Sequence, residues 1–226
     1  MPAYAPACLS DRRHAVVTPL RYGHAVTKFL LIRHGQSVWN AERRWQGQAN
    51  PPLSELGRSQ AFQASRSLGQ VDLIISSPQL RAMETAMIFS DTVGIGPVIA
   101  ADNLRERHAG SWSGLTIEEI ETHYPGWLQA GRRPDNFEAS DVLEKRVLGA
   151  LNELATEYQD AVMLVVCHGG VIKSVEETFG HDDGRVPNVG GRIVHADQTS
   201  WSLGDRLHLI EESTGGSLAS EDSDRV

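Results

Sequence analysis

An almost wholly apolar run at residues 161–167, AVMLVVC, constrains the fold of this chain more than any other segment. The run has the length of a strand and falls far short of the ~20 residues that a membrane-spanning helix needs. Apolar side chains on both faces are typical of a central strand in a parallel sheet that helices cover on both sides. The run therefore predicts a sheet buried between two layers of helices.

Strands and helices are predicted to alternate on either side of this run. Strand-like apolar segments lie at residues 28–32, 71–76, 98–101, 161–167, 192–195, 200–203 and 207–211, and helical patterns lie at residues 54–68, 80–91, 117–123, 142–158 and 171–179. This alternation predicts an α/β fold, a three-layer sandwich with a mainly parallel central sheet. Residues 27–212 are expected to form one domain, between a flexible leader at residues 1–26 and a disordered acidic tail at residues 213–226.

Net charge and cysteine content limit the partners and the cellular compartment that we expect for this chain. A net charge of −8 argues against a nucleic-acid binder, which normally carries a basic face. No apolar stretch approaches a membrane span, and the N-terminal segment lacks the apolar core of a secretory signal. Two cysteines, Cys8 and Cys167, form no disulfide framework, which favours a reducing compartment. We therefore expect a cytoplasmic protein without nucleic-acid or membrane partners. A homodimer is a possible assembly.

Histidines and arginines follow the predicted strands at the edge where α/β proteins bind ligands. The first strand ends at Arg33-His34-Gly35, the second leads into a helix that carries Arg81, and the central strand ends at His168-Gly169. Because the carboxyl ends of parallel strands meet at one edge of a sheet, these side chains should converge. Their convergence is the main functional signal in the sequence.

This set of residue types suits phosphoryl chemistry. Arg33 and Arg81 offer planar guanidinium groups that bind phosphate oxygens in pairs, and Gly169 lets the backbone approach the ligand. An unprotonated nitrogen of one imidazole can attack phosphorus, and a second, protonated histidine would stabilise the charge on the transferring group. Glu106 follows the third predicted strand and is the candidate acid for the leaving oxygen, unless it forms a structural salt bridge with Arg105 or Arg107.

Five ordered segments carry a family resemblance. LLIRHGQSVWN, LSELGRSQA, ISSPQLRAMETA, NLRERHAGSWSGLT and VVCHGG together resemble the histidine phosphatase superfamily, which includes the cofactor-dependent phosphoglycerate mutases. The resemblance implies a phosphoglycerate mutase-like fold in which His34 is phosphorylated. It also implies that Arg33, Arg81 and His168 complete the phosphate pocket and that Glu106 is the proton donor and later the base. Asn40 and Gln46-Gly47 match positions at the substrate mouth.

The predicted activity is that of a phosphomonoesterase that acts on a small phosphorylated metabolite through phosphohistidine, without metal or cofactor. A cofactor-dependent phosphoglycerate mutase is the near alternative. A metal-dependent phosphatase and a non-catalytic phospho-ligand binding module are the remaining ones. Gln36 and Ala109 stand where many mutases have Glu and Tyr, which leaves the substrate open. Arg132-Arg133 is either a solvated pair or a clamp for a substrate carboxylate.

Overall fold

The computed structural model describes residues 26–197 and 200–210. Cys8, the predicted tail and the predicted leader up to residue 25 lie outside the described residues. Six strands form one sheet in the order β3-β2-β4-β1-β5-β6. Their bounds are β1 Thr27–Arg33, β2 Leu73–Ser76, β3 Ile99–Ala100, β4 Val162–Cys167, β5 Gly190–Ala196 and β6 Trp201–His208.

Pairing in the sheet is parallel on one side of β1 and antiparallel on the other. Strands β3, β2, β4 and β1 run parallel, and β5 and β6 add antiparallel neighbours. The register pairs Arg33 at the end of β1 with Cys167 at the end of β4. The residues that follow these two strands are therefore neighbours at one edge of the sheet.

Helices cover both faces of the sheet, which confirms the predicted three-layer sandwich. Their bounds are α1 Val38–Ala41, α2 Glu55–Ser65, α3 Leu80–Val93, α4 Ile117–His123, α5 Ser140–Glu157 and α6 Gly169–Thr178. Apolar residues of α5 and α6 pack with Phe29, Leu31 and Val165 on one face. Those of α2 and α3 pack with Ile32 and Val166 on the other face, as the alternation of side chains along a strand requires.

Two features of the fold differ from the prediction. Residues 200–203 and 207–211 were expected to be separate strands, but β6 is one strand, Trp201–His208. The polar pair Gly204-Asp205 resembles a turn in sequence, yet it lies within a strand that, among the described residues, pairs with β5 alone. The short helix α1 was not predicted; the side chains of Ser37 and Asn40 cap it reciprocally.

A small aromatic cluster lies beside the sheet, outside the two main cores. Trp45 and Trp112 are buried in it, with their rings 5.2 Å apart, and Phe137 packs against both. These two tryptophans therefore serve as core residues of the connecting segments. Within the described part of the chain, no helix combines the length and apolarity that crossing a membrane requires.

Candidate active site

The ends of β1 and β4 bring His34 and His168 together, as the strand pattern predicted. The backbone N–H of His34 donates to the carbonyl oxygen of Cys167 at 3.0 Å, which extends the parallel pairing by one residue. The two imidazole rings meet edge to face, with centroids 5.2 Å apart. Both side chains are buried. The fold thus places two histidines against each other at the carboxyl edge of the sheet.

Hydrogen bonds fix the tautomer of His34. Its Nδ1 lies 2.6 Å from the carbonyl oxygen of Gly35, and a carbonyl oxygen can only accept, so Nδ1 carries the proton. Its Nε2 accepts from the Nε–H of Arg81 at 3.0 Å. Burial, then the charges of Arg81 and Arg33, hold the pKa of His34 well below its ordinary 6.5, although the Gly35 hydrogen bond acts in the opposite direction. The imidazole is therefore neutral at pH 7, with its lone pair on Nε2.

Arg81 stands in the first turn of α3 and is buried. Besides its bond to His34, it donates through Nη1 to the carbonyl oxygen of Ala49 at 2.9 Å and through Nη2 to that of Gly47 at 3.0 Å. The guanidinium is thus held in one orientation by the 47–49 segment while its Nε faces the histidine. A fixed cation beside the lone pair of His34 is suited to bind an anionic group there.

Arg33 reaches the same region from the last position of β1. Its Nη1 donates to the carbonyl oxygen of Val186 at 2.9 Å, and the Asn188 amide donates to the carbonyl oxygen of His34 at 3.0 Å. The segment before β5 therefore supports the chain at Arg33 and His34. Gly169 lies alongside, and a Cβ added there would be 3.7 Å from Nε of Arg33, which is ordinary contact. Space alone does not require glycine at this position.

His168 is buried at the N-cap of α6. Its Nε2 lies 2.8 Å from the hydroxyl of Ser77, and its Nδ1 has no hydrogen-bond partner among the described residues. Burial, then the charges of Arg81, His34 and Arg33, hold the pKa of His168 well below 6.5. The second histidine is therefore neutral, and not protonated as expected from the chemistry alone. A neutral imidazole still offers one N–H to an oxyanion.

Glu106 lies near the same edge, on the connection that follows β3. Its Oε1 accepts from the N–H of Arg107 at 2.8 Å, and its Oε2 accepts from the N–H of Gly170 at 3.2 Å. Burial raises the pKa of Glu106 above its ordinary 4.5, against the opposing effect of these hydrogen bonds and of the nearby arginines. A Cβ at Gly170 would lie 2.5 Å from Oε1 of Glu106, so a side chain there would displace this carboxyl group.

The alternative role for Glu106 was a structural salt bridge with Arg105 or Arg107. Both arginine side chains have other partners. Arg105 pairs with Asp102 at 2.9 Å. The Arg107 guanidinium donates to the carbonyl oxygen of Glu138 and to the hydroxyl of Ser140. Arg107 contributes its backbone N–H to the Glu106 carboxyl group instead. The carboxyl group of Glu106 therefore remains available for proton transfer.

Asn40 and Gln46, predicted at the substrate mouth, both bond to Ser37. Asn40 Oδ1 accepts from the N–H of Ser37 at 3.1 Å, and Gln46 Oε1 accepts from its hydroxyl at 2.7 Å. The Nδ2 of Asn40 is buried and has no partner among the described residues. Gly47 has a φ of 50°, and its carbonyl oxygen faces Arg81. That these three residues contact substrate remains a prediction, and the structure adds their role in shaping the loop.

Several residues at the site were not predicted from the sequence. Gln79 bonds to both the 47–49 segment and Glu106, and Ser77 bonds to His168. Arg146 of α5 donates to the carbonyl oxygen of Glu106 at 3.0 Å and pairs with Glu138 at 2.7 Å. Ser77 and Gln79 lie between β2 and Arg81, at a strand end already singled out, so their position was a usable signal. Arg146 lies in the middle of α5, and no local sequence pattern connects it with the site.

The arrangement combines a neutral imidazole, fixed cations and a buried carboxyl group. Positive charge comes from Arg33 and Arg81, a neutral imidazole nitrogen from His34, and a carboxyl group with a raised pKa from Glu106. This set can transfer a phosphoryl group from an ester to nitrogen while protonating the departing oxygen. Over the described ranges, no group of three or more His, Cys, Asp or Glu side chains has the geometry of a metal site.

Comparisons with known proteins all indicate the same family. A family model described as histidine phosphatase superfamily (branch 1) matches residues 29–203. A metal-independent phosphoserine phosphatase of Arabidopsis thaliana is 32% identical in an alignment of 199 positions, which covers 81% of this chain and 84% of that protein. Residues 29–203, matched by the family model, include every predicted site residue.

Solved structures of related proteins superpose on this chain. The mycobacterial glucosyl-3-phosphoglycerate phosphatase in complex with VO3 superposes with a TM-score of 0.70 at 29% identity, covering 79% of this chain and 97% of that one. A phosphoglycerate mutase from Bacillus anthracis str. Sterne superposes with a TM-score of 0.70 at 20% identity, covering 80% of this chain and 92% of that one. The second likeness shows that the fold is phosphoglycerate mutase-like.

Proposed function

Because this chain belongs to branch 1 of the histidine phosphatase superfamily, we propose that it hydrolyses a small phosphorylated metabolite through a phosphohistidine formed on His34. The family and its phosphatase-named relatives make the chain a phosphomonoesterase. The proposal adds the roles of individual residues, the substrate class, the domain at residues 27–212 and a cytoplasmic location. A homodimer stays open to test by light scattering.

The state of His34 is the observation that carries this proposal. Its proton is held on Nδ1 by the carbonyl oxygen of Gly35, and its lone pair is held on Nε2 by Arg81. A histidine that serves only as a structural residue has no need for a lone pair directed at a fixed cation. This one is buried between two arginine charges and is ready to attack without first losing a proton.

In the first step Nε2 of His34 attacks phosphorus, and the bond between phosphorus and the ester oxygen breaks. The proton on Glu106 moves to the departing oxygen, which leaves as an alcohol. Arg33, Arg81 and an N–H of His168 stabilise the charge on the phosphoryl oxygens. The hydrogen bond from Nδ1 to Gly35 stabilises the positive charge that the phosphorylated imidazole acquires.

In the second step Glu106, now a carboxylate, takes a proton from water. The resulting hydroxide attacks phosphorus, the bond to Nε2 breaks, and inorganic phosphate leaves. His34 is neutral again and Glu106 is protonated again, so the cycle balances. The raised pKa of Glu106 suits both steps of the reaction, because the group must donate one proton and take one back near neutral pH.

The names of two relatives indicate the size and chemistry of the substrate. One acts on phosphoserine and the other on glucosyl-3-phosphoglycerate, and both compounds carry a carboxylate near the phosphate. In this chain Arg107 and Arg133 both lie over the ring of Phe137, at 5.8 Å and 5.6 Å. The Nε of Arg107 is buried without a partner among the described residues. We propose that this pair of arginines accepts a substrate carboxylate.

A phosphate-release screen tests the proposal. The panel contains O-phosphoserine, 2- and 3-phosphoglycerate, glucosyl-3-phosphoglycerate and p-nitrophenyl phosphate, with and without EDTA, and His34→Ala is measured beside the wild type. We expect release from at least one ester, unchanged by EDTA and lost in the variant. Activity that disappears with EDTA and returns with zinc or magnesium would instead establish a metal-dependent phosphatase.

A further inference from the structure

Gln79 occupies the N-cap position of α3 but does not cap it. Residues at this position commonly turn a side-chain oxygen back to the first N–H groups of the helix. The Gln79 side chain makes no such bond and is buried, 1% exposed. Its amide is directed away from the helix and towards other segments of the active site.

The amide of Gln79 bridges two segments that are far apart in sequence. Its Nε2 donates to the carbonyl oxygens of Gly47 and Ala49, each at 3.1 Å. Its Oε1 accepts from the backbone N–H of Glu106 at 2.6 Å. These three hydrogen bonds use both N–H donors of the amide and one of the two lone pairs on its oxygen. A single neutral side chain thus joins the 47–49 segment to the proposed acid.

The 47–49 segment is also bound by Arg81. Arg81 donates to the same two carbonyl oxygens that Gln79 binds, at 3.0 Å and 2.9 Å. Both carbonyl groups therefore keep a hydrogen-bond donor if the Gln79 amide is removed. The N–H of Glu106 has no such second partner among its hydrogen bonds in the described chain, because Gln79 Oε1 is its acceptor. Removal of the amide should therefore mainly change the position of Glu106, which loses its N–H hydrogen bond.

Other contacts hold Glu106 but none replaces that of Gln79. Its carbonyl oxygen accepts from Gln48 at 3.2 Å and from Arg146 at 3.0 Å. Its carboxyl group accepts from Arg107 and Gly170. Gln79 is the partner on the N–H side, so it restrains rotation of the peptide that precedes the acid. A small rotation there would move the carboxyl group relative to the departing oxygen.

We propose that Gln79 is a positioning residue for Glu106, and that it supports protonation of the leaving group without touching substrate. This inference rests on the proposed function, in which Glu106 is the acid. Proton transfer needs the carboxyl group within hydrogen-bond distance of the ester oxygen, so its placement controls the rate for esters whose leaving oxygen is basic. Binding of the phosphoryl group depends on Arg33, Arg81 and His168 and is retained.

Gln79→Met removes the amide and keeps the length of the side chain. We expect kcat/KM to fall about 10- to 100-fold for O-phosphoserine or another alkyl phosphate that the wild type hydrolyses, because part of the general-acid contribution is lost. For p-nitrophenyl phosphate, whose leaving group needs no proton, we expect a fall of about threefold or less. The inhibition constant of vanadate should stay within about threefold, because the phosphate pocket is intact.

Two further variants separate positioning from a general loss of structure. Gln63→Met, at an exposed glutamine of α2, is the matched control and should leave all values unchanged. Gln79→Asn keeps an amide that is one methylene shorter and should give the same leaving-group pattern with a smaller loss. The inference therefore does not depend on the stability of Gln79→Met alone.

A double-mutant cycle identifies the residue through which Gln79 acts. Phenyl phosphate, with a leaving group of intermediate basicity, serves as substrate for the wild type, Gln79→Met, Glu106→Gln and the double variant. If Gln79 acts through Glu106, its replacement should change kcat/KM by less than about twofold once Glu106 is glutamine. Equal losses in both backgrounds, or equal losses for alkyl and aryl esters, overturn the inference.

The proposed function and this inference can fail separately. Retained turnover in His34→Ala overturns the proposed function whatever Gln79 does. Loss of turnover in His34→Ala together with wild-type kinetics in Gln79→Met overturns only the positioning role. Each result is read from the same preparations and the same two esters.

Discussion

The Nε of Arg81 donates a hydrogen bond to Nε2 of His34 at 3.0 Å. The lone pair that we propose as the nucleophile is thus occupied by a cation until a phosphoryl group enters. Arg81 keeps two further bonds to the 47–49 segment, so its guanidinium can stay in place while its Nε–H is released from His34 and donates to a phosphoryl oxygen. We propose that this one guanidinium both orients the nucleophile and binds an oxygen of the phosphoryl group.

Arg81→Lys should therefore be severely impaired although the charge is kept. Lysine lacks the planar fork and cannot bond to His34 and two carbonyl groups in one geometry. We expect kcat/KM to fall about 100-fold or more and vanadate to bind more weakly. Arg66→Lys, on the exposed end of α2, is the control. Wild-type vanadate inhibition in Arg81→Lys would contradict this role.

His34 should carry the label after a rapid quench with phosphorus-labelled substrate. The bond is a phosphoramidate, so it should be labile in acid and stable in alkali, and His34→Ala should not be labelled. The measurement is peptide mapping after quenching without acid. Label on serine or aspartate would show a different covalent mechanism.

Glu106→Gln should discriminate between leaving groups. Glutamine cannot donate a proton, so kcat/KM should fall about 100-fold or more for alkyl phosphates and much less for p-nitrophenyl phosphate. Because the pKa of Glu106 is raised, phosphorylation of the wild type should slow as pH rises through that pKa, and this limb should be absent in the variant. Glu55→Gln, at an exposed position, is the control. A uniform loss across esters would indicate a binding or structural role.

Acid should destabilise the protein through its two buried histidines. The pKa values of His34 and His168 lie well below 6.5 in the folded chain, so the unfolded chain binds more protons below pH 6.5. Stability is present above pH 6.5 and falls as pH drops towards the lowered pKa values, by up to about 1.4 kcal/mol per pH unit for each group. Urea unfolding between pH 7 and 5 measures this slope. Asparagine at both positions should flatten it relative to the wild type, and an unchanged slope would show that other groups dominate.

Net hydrolysis should exceed isomerisation of phosphoglycerate. A mutase must exclude water from its phosphohistidine. Here only residues 134–139 separate Arg133 from α5, and Arg133 is stacked over Trp112 at 5.3 Å, which leaves little chain to cover the pocket. We expect phosphate release to outrun interconversion of 2- and 3-phosphoglycerate, without a requirement for 2,3-bisphosphoglycerate. Both activities are measured on one preparation, and the reverse ranking would establish the mutase.

Local patterns in the sequence were sufficient for the strand-end residues of the site. Arg33, His34 and His168 follow apolar runs directly, and parallel pairing brings such ends together, so their neighbourhood follows from the order of the elements. The start of α2 was predicted closely because a capping residue, Ser54, precedes an apolar stripe, whereas its end, Ser65, lies three residues before the predicted one.

The remaining features depend on contacts between distant segments. Gln79 acquires its partners from residues 47, 49 and 106, and no local pattern specifies that loops meet there. The neutral state of His168 results from burial beside arginines, which residue type alone does not reveal. Strand β6 was divided in the prediction because Gly204-Asp205 resembles a turn. Among the described strands β6 lies at the end of the sheet, where polar residues are tolerated within a strand.

The position of β1 in the sheet implies that the two halves of the active site differ in how readily they open. β1 is hydrogen-bonded along its length to β4 on one side and to β5 on the other, so the amides that lead to His34 should exchange with solvent only when the whole domain unfolds. Glu106 lies on a connection held by side chains, outside any strand. Under mild denaturant the acid should therefore be lost before the nucleophile, and hydrolysis of aryl phosphates should outlast that of alkyl phosphates.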